Sequence, residues 1–326
     1  MRITLTIPGF VPHGGIRVIL EWANGLTKLG HDVSLLCKAY ETCKWFKIDK
    51  RVNIYSNPDV VLPSTDIFVI CSPHSIDLEK HPHAPNKVFI FMQMLEHYFS
   101  PNDPGWIQSC NKFYLSRHPL ISISRWNIEH LKKLGRKSPT YYIGNGINQK
   151  DFPIKKCSKR GNVVLVEGWE VNNPSKDSNL IAHSVANQLK KDGCTILAYS
   201  QSELKTYPDI PDEYHRLPSL KKINELYERA DILLKASHYD ARSTSPIEAM
   251  TKGCIPIRAI DKGDDDLVHF VNCLRSGYNA HEMYANAKLV LNDKRLKAEL
   301  SKNCLEYVRN NTWSHHIVGI ERILTS

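Results

Sequence analysis

Asp240 and Glu248 are the residues of this chain whose types and spacing best suit chemistry. They are two carboxylates eight positions apart, with Arg242-Ser-Thr-Ser245 and Pro246 between them. That spacing predicts Asp240 on a loop and Glu248 in the first turn of a helix over Pro246–Lys252. Both acids can then face a ligand at the carboxyl edge of a parallel sheet, where open α/β folds bind small molecules. An ionised carboxylate only accepts hydrogen bonds, which suits ligand hydroxyls. The small polar loop Arg242, Ser243, Thr244 and Ser245 would offer N–H groups and a helix dipole to a phosphate. The same stretch also reads as a capping box, with Ser245 at the N-cap, Pro246 first and Glu248 third. Glu248 is therefore either a ligand residue or a helix cap.

Other candidates stand at the ends of expected strands. Gly14-Gly15 follows the first strand and would let backbone approach a ligand closely. A dinucleotide fingerprint would need G-x-G-x-x-G and an acid after the second strand; here there is only the doublet, and Lys38 follows Val33–Cys37. A nicotinamide dehydrogenase is thus disfavoured, and a Walker pattern is absent. Lys176, in the turn-rich Asn172-Asn-Pro-Ser-Lys176, is a natural diphosphate partner or a plain surface lysine. His74 is a loop histidine or a site histidine. Gln93 and Glu96 could line an acceptor site or satisfy local backbone.

Positioning these residues requires alternating strands and helices. Strands are expected at Ile3–Ile7, Val33–Cys37, Asp66–Cys71, Lys87–Met92 and Leu120–Ile123, with helices from Ile16 to Gly30 and over Arg125–Leu134. Seven prolines between Pro58 and Pro104 suggest loops there. The basic, breaker-rich stretch from Gly144 to Arg160 reads as a hinge. After it the pattern restarts: strands at Asn162–Glu167, Cys194–Tyr199, Asp231–Leu234 and Ile255–Arg258, helices at Asp177–Lys191 and Leu220–Arg229, and mostly helix from Asn279 on. Such alternation predicts an α/β chain with two Rossmann-like parallel sheets facing a cleft. The expected division is 1–155, 156–310, and a final helix at 311–326 that returns to the first domain through Trp313.

Composition narrows the class further. The nine scattered cysteines lack C-x-x-C pairs and several lie in apolar runs, reading as reduced core thiols in a cytoplasmic protein and not as a zinc site. Met1–Pro8 makes a poor signal peptide, and no run of 18 apolar residues suggests a membrane span. The net charge is +9, yet between Gly105 and Arg160 twelve Lys and Arg face only Glu129 and Asp151. A block of one sign is a solvated face or an attractor of polyanions.

The acid-x7-acid element resembles that of retaining GT-B glycosyltransferases of glycosyltransferase family 4. Further resemblances follow in order: Gly14-Gly15 with Gly30-His-Asp-Val33, and Gln93 with Glu96 as in a rhamnosyltransferase-like, polysaccharide-type branch. Ser124, Ile143-Gly-Asn-Gly-Ile147 and Phe152, Leu226-Tyr227 with Ala230-Asp231, and Glu248-Ala-Met250 with Gly253 complete the set. The resemblance implies a GT-B architecture and a metal-independent enzyme without a bound cofactor, using a nucleotide-diphosphate sugar as co-substrate. It implies that Glu248 holds ribose hydroxyls, amides around Ser243–Ser245 meet phosphate, and Asp240 contacts the donor sugar. Lys176 would neutralise the leaving diphosphate, Gly15 would lie beneath it, and His74 would lie near the sugar. The chain departs from the pattern at Asp240, where Glu is usual, at Ala241-Arg-Ser243, which replaces glycines, and at Trp169, which stands where an arginine is usual and for which Arg242 would have to compensate. The implied acceptor is a glycan or lipid-linked glycan, with the basic block holding the protein peripherally at the inner face of an anionic membrane. Rival readings are a phage-type glycosyltransferase acting on hydroxymethylated DNA bases, with the block tracking phosphates, and a non-catalytic sugar- or nucleic-acid-binding relative.

Overall fold

The computed structural model of the chain describes residues 1–37, 43–56, 63–155, 157, 161–168, 179–201 and 211–326. They form two compact units, Met1–Gly146 with Trp313–Ser326, and Ile147–Thr312.

In the first unit β1 (Arg2–Ile7), α1 (Gly14–Lys28), β2 (Asp32–Cys37), β3 (Asn53–Ser56), β4 (Ile67–Ile70) and β5 (Val88–Met92) are followed by α2 (Pro104–Tyr114), β6 (Leu120–Ser122), α3 (Arg125–Lys133) and β7 (Thr140–Tyr142). The seven strands are parallel in the order β3-β2-β1-β4-β5-β6-β7. β4 and β5 are buried along their whole length. That is why their sequences are continuous apolar runs without alternation. The proline-rich stretch ends where a helix begins: Pro104 takes the first position of α2, where its missing N–H costs nothing, and Asp103 caps it by accepting from Trp106 N–H at 3.0 Å. β3 and β7 lie at the two sheet edges and are short and partly exposed, so they lack an apolar signature.

The final helix α9 (Trp313–Thr325) packs on α1, as expected, but Trp313 is not its anchor. Ile317, Ile320 and Leu324 are the buried residues. A Cβ on Gly25 of α1 would stand 2.5 Å from Ile317 Cγ1, so the glycine is what admits this close crossing. His31 Nε2 and Glu321 Oε1 meet at 2.9 Å beside it.

In the second unit β8 (Val163–Glu167), α4 (Asn179–Lys191), β9 (Thr195–Ser200), β10 (Glu213–Arg216), α5 (Leu220–Arg229), β11 (Ile232–Asp240), α6 (Thr244–Met250), β12 (Ile255–Gly263) and β13 (Leu274–Ser276) precede the helices α7 (Ala280–Asn292) and α8 (Lys294–Asn310). Its six strands are again parallel, in the order β10-β9-β8-β11-β12-β13. Both sheets share the doubly wound order, and their switch points lie between β1 and β4 and between β8 and β11.

Two strands run longer than their apolar cores. β11 continues past Leu234 to Asp240 and β12 past Arg258 to Gly263, pairing Lys235 with Arg258 and Asp240 with Gly263. Asp240 therefore ends a strand; it does not sit on a free loop. The extension joins polar residues, which apolar periodicity does not register. Among the described residues no helix is long and apolar enough to cross a membrane. Seven of the nine free cysteines are buried, Cys43 and Cys157 being the partly exposed ones.

Candidate active site

At the switch point of the second sheet, β8 ends in Glu167 and the neighbouring β11 carries Lys235. The lysine Nζ lies 2.7 Å from Glu167 Oε2 and donates to Ser245 Oγ at 3.0 Å. The Ser245 hydroxyl donates to the same Glu167 oxygen. Burial alone would push the Glu167 carboxyl up, but Lys235, Ser245 and Arg258 outweigh it and hold it below the usual range. Burial would likewise lower Lys235, and the facing Glu167 and Asp240 carboxylates raise it instead. Both groups are thus ionised and interlocked.

Asp240 lies nearby at the end of β11. Its Oδ2 accepts from the Ser243 hydroxyl and stands 3.6 Å from Arg258 Nη2. Arg258, wholly buried on β12, meets Asp264 Oδ2 at 2.6 Å, as an ion pair and not as an aligned hydrogen bond, and donates to Lys235 O at 3.1 Å. The Asp240 carboxyl is raised above its ordinary value, chiefly by burial and then by Asp264, with Lys235 and Arg258 opposing.

Glu248 projects from α6, where the Tyr227 hydroxyl donates to its Oε2 at 3.4 Å and is itself 2.9 Å from the Tyr199 hydroxyl. The N-cap of α6 is Ser243, not Ser245, and its side chain makes no capping bond. Glu248 therefore sits in the second turn, two residues beyond the capping-box position. The cap reading fails because the helix starts two residues earlier than Pro246.

The small polar loop is largely committed to the protein. Ser243 N–H donates to Asp264 Oδ1 at 2.7 Å, so this amide is already occupied. Arg242 is buried, paired with Asp266, and donates to the Tyr307 hydroxyl at 3.0 Å. Its guanidinium is therefore spent inside the unit, contrary to its expected place at a diphosphate. Thr244 is the half-buried first residue of α6. Lys176 and Trp169 lie outside the described residues.

The remaining candidates belong to the first unit. His13 caps α1 by accepting from Gly15 N–H at 3.2 Å, just after Gly14 opens the helix. Gln93 Nε2 donates to Gly15 O at 3.0 Å, and a Cβ on Gly15 would touch that amide at 3.4 Å. The sheet thus brings the doublet and Gln93 together across 78 residues of chain. His74 is exposed and lies against Trp106, ring centroids 4.4 Å apart. Trp106 Nε1 in turn donates to Glu96 O at 3.0 Å.

The Glu96 carboxyl is pushed up to about 8 by burial. The folded protein therefore binds a proton there that the unfolded chain, with its ordinary 4.5, releases. Stability from this group is present at low pH and is lost as pH rises toward 8. Glu96→Gln is expected to flatten the decline in melting temperature between about pH 4.5 and pH 8. An unchanged slope in thermal melts would show that Glu96 titrates normally.

Lys235, Arg258, Asp264 and Gly263 were not singled out from the sequence. A signal was present: Ile232-Leu-Leu-Lys235 and Ile255-Pro-Ile-Arg258 each place a cation inside an apolar strand. A charge so placed must find a buried partner. The basic segment also divides. Arg136 is turned inward, donating to the carbonyls of Tyr114 at 2.6 Å, Ser116 at 2.9 Å and His118, and burial lowers it to about 10. Lys112, Arg117, Arg125, Lys132, Lys133, Lys137, Lys150 and Lys155 are exposed.

No protein-family model and no curated protein matches the chain. Solved structures do match over its whole length. Sucrose-phosphate synthase from Thermosynechococcus elongatus has a TM-score of 0.79 at 11% identity, covering 99% of this chain and 98% of its own. HepE of Anabaena in complex with UDP and glucose has a TM-score of 0.78 at 13% identity, covering 100% and 99%. An α-glucosyltransferase in complex with UDP and a 13-mer DNA containing an HMU base has a TM-score of 0.67 at 13% identity, covering 100% of both chains. The chain therefore has the GT-B fold, two Rossmann-like parallel-sheet domains, shared with glycosyltransferases of widely different sequence.

Proposed function

We propose that this protein is a retaining, metal-independent glycosyltransferase. It takes a sugar from a nucleotide-diphosphate donor, with UDP-sugars the first to test because the structural neighbours include UDP complexes. The observation that carries the reading is the placement of Asp240 and Glu248 at the carboxyl edge of the second sheet, beside the β8/β11 switch point where this fold class binds ligands. Glu248 accepts from the ribose hydroxyls and Asp240 from the sugar, each as an acceptor fixed by its own hydrogen-bonding neighbour. Lys176 offsets the negative charge that develops on the departing diphosphate. Gly14 and Gly15 would, by resemblance, supply close backbone to the diphosphate, and His74 would act on the donor sugar. By resemblance, a donor phosphate oxygen takes the acceptor proton, so no protein base is required. Gln93 and Glu96 line the acceptor side.

The acceptor in this reading is a hydroxyl of a glycan or lipid-linked glycan, with the exposed lysines of the basic segment holding the cytoplasmic protein at an anionic membrane surface. The neighbour bound to DNA and the same basic segment support a second reading, transfer to a modified DNA base. Binding to anionic vesicles without binding to duplex DNA favours the first; salt-sensitive DNA binding favours the second. A relative that binds sugar without turning it over is excluded by transfer or slow donor hydrolysis. Donor binding by calorimetry tests the core claim: Glu248→Ala is expected to weaken it by at least about tenfold, the worth of one charge-assisted hydrogen bond. Unchanged donor affinity would overturn the role of Glu248.

A further inference from the structure

We infer that Asp264 is the positioning residue of this site, fixing both where Asp240 sits and how strongly its carboxylate attracts positive charge. The inference rests on the proposed glycosyl transfer and names a residue that the sequence pattern leaves out.

Asp264 follows β12 with a left-handed backbone, φ +48°, a region that non-glycine residues adopt rarely and Asp tolerates better than most. From there it holds the connector between β11 and α6 at three points. Its N–H donates to Asp240 O at 2.9 Å and to Ala241 O at 3.2 Å. Its Oδ1 accepts from Ser243 N–H at 2.7 Å. Ser243 in turn aims its hydroxyl at the Asp240 carboxylate. Arg275 braces the clamp from behind, donating to Asp264 O at 3.0 Å, Leu267 O at 3.0 Å and Gly263 O at 2.9 Å. A shift of Asp264 would move Asp240 and the start of α6 together.

The charge arrangement points beyond bracing. A clamp on Ser243 N–H needs only an acceptor, and Asn would supply one without a second negative charge beside Asp240. Every element packed around Asp240 contributes a group: Lys235 on β11, Glu167 on β8, Arg258 on β12, Asp264 after it, and the Ser243 hydroxyl before α6. Three carboxylates thus share two cations. Asp264 takes the near face of Arg258 at 2.6 Å and leaves Asp240 at 3.6 Å. Asp240 therefore keeps a strong demand for hydrogen-bond donors, and the donor sugar hydroxyls would supply them.

The test is Asp264→Asn, with Asp265→Asn as the neighbouring control. Removing the Asp264 charge frees Arg258 for Asp240, so the acid limb of kcat/KM is expected to move down by about one pH unit. Loss of positioning is expected to lower kcat at least about tenfold with a smaller change in donor KM. A wild-type pH profile and kcat in Asp264→Asn would overturn the inference, as would equal effects from Asp265→Asn. Should Asp264→Asn fail to fold, Asp264→Gly, suited to the left-handed backbone, carries the same readout. If the wild-type protein transfers and hydrolyses no nucleotide sugar, the proposed function fails on its own. Carbon-13 NMR titration of the Asp240 carboxyl in wild type and variant then decides the Asp264 inference without activity: a downward shift supports it and an unmoved midpoint overturns it.

Discussion

Gly263→Ala is expected to abolish transfer and to destabilise the second unit, although it adds only a single methyl group. Gly263 lies opposite Asp240 in the β11/β12 ladder with φ +103°, and a Cβ there would fall 1.7 Å from Asp240 O. The backbone strain alone costs about 1–3 kcal/mol. The collision adds to this because the obstacle is strand backbone, not the end of a flexible side chain. Relief requires β11 to part from β12 at its last residue, the one that carries the candidate carboxylate. Thermal melts should show the destabilisation and transfer assays the loss. A Gly263→Ala protein with wild-type melting temperature and turnover would mean that Asp240 is not held by this contact.

Arg258→Met is expected to cost about 3–5 kcal/mol, the range for leaving a buried charge without its partner. Arg258 is completely buried and Asp264 nearly so, with 0% and 1% side-chain exposure. Methionine fills most of the volume but leaves Asp264 facing Asp240 without its ion-pair partner, while Arg275 stays committed to backbone carbonyls. The cost should therefore fall chiefly on the orphaned charge and not on lost packing. Chemical denaturation can separate the two: adding Asp264→Asn to Arg258→Met should recover a substantial part of the loss. Strict additivity in that double-mutant cycle would show that the two residues act independently, contrary to the 2.6 Å pairing.

The candidate site was unevenly legible. Asp240 and Glu248 stand out as candidates because one short stretch contains both and its neighbours fix their spacing. The local geometry around them was harder. The helix start at Thr244 instead of Pro246 depends on Asp264, more than twenty residues downstream, which takes the Ser243 amide and draws the chain into its turn. Arg242 looked available for phosphate because its ion-pair partner Asp266 and its hydroxyl partner Tyr307 lie 24 and 65 positions away. The same holds for Gly15 and Gln93, whose contact exists only because β1 and β5 share a sheet.

From the residues in order one can derive two α/β halves, since strand and helix periodicities are short-range properties imposed by burial on one face or both. The final helix returning to the first unit and the acid pair at a strand-to-helix junction belong to the same legible part. Tertiary structure alone decided how the charges of this cluster are shared: Glu167 with Lys235 across 68 residues, and the buried Arg258 with both Asp240 and Asp264. The reason is desolvation. A charge inside an apolar strand announces that it needs a partner, but which carboxylate reaches it depends on strand order and register, set by the packing of the whole sheet.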